Sequence, residues 1–287
     1  MDIWGRPDRP LVGADSNPGQ VSLRPGGVGR NIAHDLSLLG LKVSLIAALG
    51  SDIYAGAIKE SCRALGIDLS YAPVSPDMSS GCYLYISDEK GEMALAVSDM
   101  EICSLMDPAL VLGLLPKIRT RSMVLDANLP EDTLIALAEH SPWPVYADPV
   151  STAKGEKLRP ILHRLRAIKP NALEAKSLTG EDDPQKAAAE LVRMGVSRVF
   201  ISLGAEGMVA ADEKGVLRLP PVPTQVVNST GAGDAATAAI VAGDLWGMDL
   251  AETACLAQQA GAITCRSMGA NAPELRQLAR SGGAERG

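Results

Sequence analysis

The sequence predicts an α/β fold in which a mainly parallel sheet is covered by helices on both faces. Short apolar or β-branched runs alternate with Ala- and Leu-rich runs of helical periodicity, and Gly or Pro separates them. This alternation is typical of parallel strands joined by crossover helices. Ligands of such sheets bind beyond the carboxyl ends of the strands, so the residues that follow each strand are the first candidates for a site.

The apolar pattern places the individual elements along the chain. The predicted strands are 42–49, 122–127, 144–147, 198–203 and a short run that ends at Lys169. The predicted helices are 29–39, 54–65, 131–140, 157–166 and 184–194, with two more that begin near Gly231 and Leu250. In the first helix Ile32, Ala33 and Leu36 share one face, and Gly40 ends the helix.

Two segments depart from the alternation. Residues 80–97 contain two strand-like runs around Asp88-Glu-Lys-Gly91, a pattern typical of a hairpin with glycine in its turn. The opening residues, up to about Leu23, are also strand- and turn-like. Together they predict a small accessory sheet, which is either a lid over the cleft or an edge decoration. We therefore expect one domain over 1–287, with lid segments at about 1–24 and 78–99.

Composition excludes several classes of protein. The chain has 287 residues, 46% of them hydrophobic and 21% charged, and a net charge of −7, which disfavours a nucleic-acid surface. Five cysteines without a CxxC pair disfavour a disulfide framework or a zinc site. A polar N-terminus and short apolar runs disfavour a signal peptide or a membrane span. We expect a cytosolic protein with neither nucleic-acid nor membrane partners.

Basic and histidine side chains receive structural interpretations. Four basic residues have helix-like spacing, which indicates a solvated helix face; they are Arg159, Arg164, Arg166 and Lys169. The three histidines lie far apart within predicted helices, and we interpret them as surface or packing residues.

The strongest motif is Asn228-Ser-Thr-Gly-Ala-Gly-Asp234, which opens an Ala-rich helix. A Gly-Ala-Gly turn at a helix start leaves backbone N–H groups free to bind an anion, and small residues allow a phosphate to approach closely. Asp234 in the first helical turn is placed to accept a proton from a hydroxyl. From spacing alone, a role as helix cap is equally consistent.

Three other motifs stay ambiguous when each is taken alone. The loop Pro25-Gly-Gly-Val-Gly-Arg-Asn31 suits either a polyhydroxylated ligand or a simple turn, and it does not match the dinucleotide fingerprint. Asn171 and Glu174, three residues apart at a helix start, suit either Mg²⁺ held mainly through water or a capping box. The glycine-rich turn 202–207 suits either a nucleotide contact or an ordinary turn.

Two carboxylates, Asp126 and Asp148, follow predicted strands, and each is either functional or a cap.

Taken together and in this order, the motifs resemble those of the ribokinase-like sugar kinases of the phosphofructokinase-B type. Gly26-Gly27 with Asn31 resembles the family's first signature, and Thr230-Gly-Ala-Gly-Asp234 resembles its second. Asn171 with Glu174 resembles its Asn-x-x-Glu magnesium motif. The resemblance covers nearly the whole chain and implies a three-layer α/β/α fold with a small β lid.

The resemblance also implies roles for the motif residues. Asp234 is the implied general base, and the N–H groups of Gly231, Ala232 and Gly233 form the implied anion hole. Substrate binding is implied for Asp2, Asn17, Gly27, Asn31, Asn128 and Asp234. ATP binding is implied for Asn171, Ser202, Gly204, Gly207, Thr230, Gly231 and Gly233. Asn171 and Glu174 are the implied Mg²⁺ residues. Family members are often dimers paired through the lid, which makes a homodimer an expectation.

Within the family, several segments most resemble the pseudouridine kinases. These are Gly26-Gly-Val-Gly-Arg-Asn-Ile-Ala33, Asp126-Ala-Asn-Leu-Pro130, Ala147-Asp-Pro-Val-Ser-Thr-Ala-Lys154 and Val227-Asn-Ser-Thr-Gly231. The implied reaction is phosphorylation of the pseudouridine 5′-hydroxyl by ATP. The alternatives are another nucleoside or a free sugar such as ribose, and a binding protein without turnover.

The chain departs from the family pattern at three places. It begins almost at the N-terminal aspartate, so the family's first strand is expected to be missing, either because the true start lies upstream or because the protein has lost this strand. Asn228 replaces an aspartate that many relatives carry near a monovalent-cation site, which leaves K⁺ dependence open. Ala236 and Ala239 replace the commoner Phe and Gly after the catalytic aspartate, which we interpret as packing changes.

Overall fold

The computed structural model describes residues 1–89 and 93–279, which form a large sheet, a small sheet and the surrounding helices. The strands of this part of the chain, β1 to β10, are Asp2–Pro7, Gly19–Arg24, Cys82–Ser87, Met93–Asp99, Met123–Asp126, Val145–Asp148, Leu165–Ile168, Arg198–Ser202, Met208–Asp212 and Gly215–Leu219. Its α-helices, α1 to α9, are Val28–Leu38, Ile53–Ala64, Pro108–Leu114, Glu131–His140, Thr152–Gly155, Ala172–Thr179, Pro184–Arg193, Ala232–Leu245 and Leu250–Thr264.

The large sheet has the strand order β10-β9-β8-β7-β6-β5. Strands β5 to β8 are parallel to one another, whereas β9 is antiparallel to β8 and β10 is antiparallel to β9. This confirms the predicted α/β fold with a mainly parallel sheet. The β9–β10 hairpin was not predicted, although the short turn at Glu213 and Lys214 between two apolar runs is a hairpin signal.

Helices cover the central strands of the large sheet on both faces. Successive side chains of a strand point to opposite faces, so each strand contributes to two cores. On one face Tyr146 and Phe200 belong to the core that includes side chains of α1, α8 and α9. On the other face Val145 and Val199 belong to the core that includes side chains of α4, α6 and α7. Burial on both faces explains why these strands are continuous apolar runs in the sequence.

The small sheet joins the two segments that depart from the strand–helix alternation. Its order is β2-β1-β3-β4, with β1 antiparallel to β2 and parallel to β3. The predicted 80–97 hairpin is present as β3 and β4, and residues 90–92 of its turn lie outside the described residues.

Two predicted elements are wrong. Residues 42–49 form only isolated bridges, Ser44 with Asp68 and Leu49 with Val74. This segment and β5 both line a cavity of about 1430 Å³. The predicted helix 157–166 is instead a 3₁₀ segment, Glu156–Arg164, because Pro160 inside it lacks the N–H that an α-helix needs.

No helix in the described ranges is both long enough and apolar enough to cross a membrane.

A partly buried ionic cluster joins the end of α8 to three strands of the large sheet. The Asp244 carboxylate accepts hydrogen bonds from the Arg166 guanidinium, at 2.6 and 2.9 Å, and from the Tyr146 hydroxyl. Arg198 Nη1 lies 3.0 Å from Asp244 Oδ1. Burial opposes the charge of Asp244, but these donors outweigh it and hold the pKa of the carboxyl below its usual value.

We expect Asp244→Ala to lower the free energy of unfolding by about 2 kcal/mol, because it leaves the buried Tyr146 hydroxyl and partly buried cationic charge without their acceptor. Urea unfolding measures the change. Asp182→Ala is the matched control, since Asp182 is largely exposed and pairs with exposed Lys176; it should change stability little. An equal effect of both substitutions would contradict a structural role for the cluster.

Candidate active site

The N-terminus of α8 forms the centre of the candidate site. Gly231 precedes the helix with a left-handed backbone (φ 82°), and a Cβ atom there would lie 1.9 Å from the Ala270 carbonyl oxygen. Only glycine therefore fits this turn. Ala232 N–H donates to the Ser229 carbonyl at 3.2 Å, whereas the N–H groups of Gly233 and Asp234 lie in the first turn and have no intrahelical acceptor.

The Asp234 carboxylate lies where these N–H groups begin. Its Oδ2 accepts a 2.8 Å hydrogen bond from Asn31 Nδ2, so the two predicted signatures meet although 203 residues separate them. Burial and the nearby Asp148 charge raise the pKa of Asp234 to about 7, although Asn31 and Lys169 lower it. A carboxylate with this pKa can exchange a proton near neutral pH.

Lys169 is a site residue that sequence reasoning missed. Its side chain is 7% exposed, so its assignment to a solvated helix face is wrong. Its ammonium lies 3.6 Å from Asp148 Oδ2, and a Cβ atom on Gly233 would lie 3.2 Å from it. The available signal was its place directly after β7. The ammonium adds positive charge beside the helix N-terminus, where an anion would bind.

Asp148 and Asp126, which follow β6 and β5, hold neighbouring elements together. Asp148 accepts hydrogen bonds from Thr237 Oγ1 on α8, at 2.7 Å, and from Val150 N–H, at 2.9 Å. Asp126 accepts from Gly29 N–H and from Asn128 N–H, both at 2.8 Å. Both carboxylates therefore act as local caps, and both also raise the pKa of Asp234.

The glycine-rich loop before α1 lies against β1. A Cβ atom on Gly26 would lie 2.0 Å from the Asp2 carboxylate, so the loop approaches Asp2 as closely as glycine permits. Gly27 has φ 96° and leads directly into the helix that carries Asn31. Burial raises the pKa of Asp2, while the N-terminal amino group and Arg30 lower it. Asp2 and Gly27 thus lie at the start of the helix that carries Asn31.

Two further substrate candidates, Asn128 and Asn17, are engaged in hydrogen bonds outside the cluster of Asp2, Gly27 and Asn31. Asn128 Oδ1 accepts a 2.6 Å hydrogen bond from Lys154 Nζ, beyond the end of β5. Asn17 lies in the loop between β1 and β2, and its amide bonds with the backbone of Val12 and Asp15 in that same loop. Among the described residues, no hydrogen bond joins Asn17 to the rest of the candidate site.

Asn171 and Glu174 form a reciprocal capping box at the start of α6. Asn171 Oδ1 accepts from Glu174 N–H at 2.9 Å, and Glu174 Oε2 accepts from Asn171 N–H at 2.8 Å. Burial raises the pKa of Glu174. No group of three or more His, Cys, Asp or Glu in the described ranges could hold a metal directly. This donor set therefore fits only Mg²⁺ that keeps most of its water ligands.

The remaining nucleotide candidates follow β8. Ser202 ends this strand beside Asn171, to which it is joined by an isolated bridge, and its N–H donates to the Pro170 carbonyl at 3.0 Å. Gly204 and Gly207 form the turn into β9 with positive φ angles of 58° and 95°. Thr230 is exposed immediately before Gly231. The N–H of Gly207 donates to the Gly204 carbonyl, and the N–H of Thr230 donates to Asn228 Oδ1.

Comparison with known proteins gives consistent matches. The model of the family described as pfkB family carbohydrate kinase matches residues 1–277. The pseudouridine kinase of Escherichia coli strain K12 is 34% identical over 283 residues, which cover 96% of this chain and 90% of that protein.

Two solved structures extend the comparison to the fold. A carbohydrate kinase from Agrobacterium tumefaciens superposes with a TM-score of 0.84 at 29% identity, over 96% of this chain and 92% of that chain. A ribokinase from Thermotoga maritima superposes with a TM-score of 0.84 at 22% identity, over 96% and 94% of the two chains. The resemblance inferred from the motifs and the ribokinase-like fold are confirmed.

We expect Asp234→Asn to stabilise the folded protein above neutral pH. Because the pKa of Asp234 is raised from 3.8 to about 7, the carboxyl contributes stability at low pH that is lost as the pH rises between these values. The stability advantage of Asn should therefore grow from about pH 4 to about pH 7 and then level off. Urea unfolding at a series of pH values measures it.

Asp182→Asn is the matched control for this prediction. Because Asp182 is largely exposed, its replacement should change the free energy of unfolding little over the same pH range. An advantage of Asp234→Asn that does not grow with pH would mean that the Asp234 carboxylate is not destabilised in the fold.

Proposed function

This chain belongs to the pfkB family of carbohydrate kinases, and on that premise we propose that it transfers a phosphoryl group from ATP to the 5′-hydroxyl of pseudouridine. Family membership makes it a phosphotransferase with an alcohol group as acceptor. The observation that carries the proposal is the Asp234 carboxylate, held by Asn31 at the open N-terminus of α8 with the Lys169 ammonium nearby.

Asp234 is the proposed general base. Its carboxylate takes the proton of the acceptor hydroxyl as the hydroxyl oxygen bonds to the γ-phosphorus, while the bond from that phosphorus to the bridging oxygen breaks and ADP leaves. Such a base contributes about 10²–10⁴ to the rate. With a pKa of about 7, Asp234 is ionised in a large fraction of molecules at neutral pH. Activity should therefore rise as the pH passes through that value.

The anion hole is proposed at the N-terminus of α8. Gly231, Ala232 and Gly233 carry the backbone N–H groups, of which that of Ala232 is already directed at Ser229. The Lys169 ammonium beside Gly233 adds a full positive charge that sequence reasoning did not supply. Preorganised donors of this kind stabilise the charge that develops on the transferring phosphoryl group.

ATP is proposed to lie beyond the ends of β7 and β8. Ser202, Gly204, Gly207 and Thr230 supply the proposed contacts to the nucleotide. Asn171 and Glu174 would hold Mg²⁺ through its water ligands, and the ion would neutralise phosphate charge.

Pseudouridine is favoured as the acceptor by the 34% identity to a pseudouridine kinase over nearly the whole chain. Asp2, Gly27 and Asn31 are the proposed sugar contacts, with Asn128 further along the cleft. Asn17 is the weakest member of the proposed substrate set, because its amide is bonded within its own loop.

A homodimer through the small sheet is also proposed. Ile3 pairs with Leu23 and with Leu84, and Leu84 pairs with Val97, so these apolar side chains form one row across the sheet. Leu23, Leu84 and Val97 are 53%, 37% and 58% exposed. The alternation of β1 puts this row on the face opposite to Asp2. A second copy of the same row would bury it.

Purified protein should be mixed with Mg-ATP and, separately, with pseudouridine, uridine, ribose, adenosine and fructose 6-phosphate. We expect ADP release with pseudouridine and a product with the mass of pseudouridine 5′-phosphate. Asp234→Asn should lower turnover by about 10²-fold or more while ATP still binds. Release only with another acceptor would keep the kinase and overturn the substrate. If the protein is folded and binds ATP but releases no ADP with any acceptor, a binding function without turnover would be favoured.

We expect light scattering after size exclusion to give the mass of a dimer, and Val97→Asp to give that of a monomer, because a charge in the row would be buried without a partner. Ile53→Asp is the matched control, since Ile53 is 81% exposed and belongs to α2, which is not part of the small sheet. A monomeric parent protein would overturn the proposed dimer.

A further inference from the structure

We propose that Arg30 and Asn271 are positioning residues that orient the side-chain amide of Asn31 toward Asp234. The inference rests on the proposed role of Asp234 as general base. Neither residue belongs to the motif roles inferred above, and Asn271 lies 240 residues beyond Asn31 in the sequence. They form a partly buried polar cluster between α1, α2 and the segment that follows α9.

The orientation of the Asn31 amide decides what it does to Asp234. The amide has an oxygen end that accepts and a nitrogen end that donates, and only the nitrogen end attracts a carboxylate. Arg30 carries donors only, and its Nη1 lies 3.2 Å from Asn31 Oδ1. The oxygen end is thereby fixed toward Arg30, which leaves Nδ2 to donate to Asp234 Oδ2 at 2.8 Å.

Arg30 is itself held from several elements. Nη1 has two hydrogens for three acceptors, because besides Asn31 Oδ1 it lies 2.9 Å from Asn271 Oδ1 and 3.3 Å from the Pro25 carbonyl oxygen, so one hydrogen is shared. Nη2 donates to Ser61 Oγ on α2 at 2.6 Å. Arg30 as a whole residue is 8% exposed, so these acceptors and not solvent set the position of its guanidinium. A side chain with so many contacts has little rotational freedom.

The side-chain amide of Asn271 is oriented by its hydrogen bond with Arg30 in the same way as that of Asn31. Its Oδ1 accepts from Arg30, so its Nδ2 must donate, and it donates to Asp35 Oδ1 at 2.9 Å and to the Asn31 carbonyl at 3.3 Å. The residue before it, Ala270, is the one whose carbonyl abuts Gly231. One short segment therefore touches both the anion-binding turn and the support of Asn31.

Several ionisable groups surround the two ends of this chain of contacts. The Arg30 guanidinium is faced by Asp2 on β1, Asp35 and His34 on α1, and Cys62 on α2. Burial lowers the pKa of His34 to about 4 and raises the pKa of Asp35 to about 8.

At the other end of the chain of contacts, Asp234 is faced by Asp148, Asp126 and Lys169. Of these contacts, the proposal concerns only the hydrogen bond from Asn31.

The test uses Arg30→Met, Asn31→Ala and the double variant, assayed over pH with the acceptor that gives ADP release. Arg30→Met leaves Asn31 Oδ1 without its donor and frees the amide to rotate. We expect kcat to fall about 10-fold or more, its acidic limb to move to higher pH, and the KM for ATP to change little. If Arg30 acts through Asn31, the double variant should match Asn31→Ala, not the product of the two effects.

Arg63→Met is the matched control, because Arg63 is exposed on α2 and, within the part of the chain that the structure describes, its side chain bonds only with Glu60. It should leave kcat and the pH profile unchanged. Multiplicative effects in the double variant, or an acidic limb of Arg30→Met equal to that of the parent, would overturn the proposal. If Arg30→Met does not fold, Asn271→Ala replaces it, with a smaller shift expected in the same direction.

A readout that needs no turnover separates this proposal from the proposed function. The pH dependence of the unfolding free energy, compared with and without Asp234→Asn, gives the pKa of Asp234 in each background. Arg30→Met should raise that pKa even if no acceptor reacts. An unchanged pKa of Asp234 would overturn the positioning role. A raised pKa together with no ADP release from any acceptor would overturn only the proposed reaction.

Discussion

The hydrogen bond from Asn31 to Asp234 is the interaction on which the candidate site depends, because it joins the N-termini of α1 and α8. Each helix begins at a glycine with positive φ, Gly27 and Gly231. In the first turn of α1 the Gly29 N–H donates to Asp126, whereas the N–H groups of Gly233 and Asp234 in α8 have no intrahelical acceptor. The apolar faces of the two helices belong to one core on the same side of the large sheet. The sheet therefore fixes the distance between them, and the hydrogen bond uses that fixed distance.

The same arrangement concentrates negative charge at the strand ends. Asp126, Asp148 and Asp234 lie close enough for the first two to raise the pKa of the third. Thr237, backbone N–H groups and Lys169 neutralise part of this charge. What remains is a destabilised carboxylate, which is unfavourable for folding but useful for proton transfer at neutral pH. The stability of the fold is supplied elsewhere, by the alanine-rich packing of α8 on α9 and by the Asp244 cluster.

Much of this arrangement could be predicted from sequence, since helix periodicity, glycine turns and strand-end acids are local signals. Helix α4 has the predicted bounds, and the segments that carry Asn31 and Asp234 are where the motifs place them. The errors involve long-range information. Lys169 looked like part of a basic helix face, and only the fold shows it buried beside Gly233. Residues 42–49 have the composition of a strand, yet they form only isolated bridges and line a cavity. Asn271 lies outside any recognisable motif.

The aromatic content of the small sheet gives the molecule an optical property. Trp4 lies two residues after Asp2 on β1, so its indole is on the same face as that carboxylate, where it stacks on Tyr85 at 6.3 Å and donates to Ser87 Oγ. The other two tryptophans, Trp143 before β6 and Trp246 after α8, lie at the opposite ends of those elements from the candidate site. Replacing those two by phenylalanine would leave fluorescence from a single indole, whose emission reports on the sheet beside the cleft.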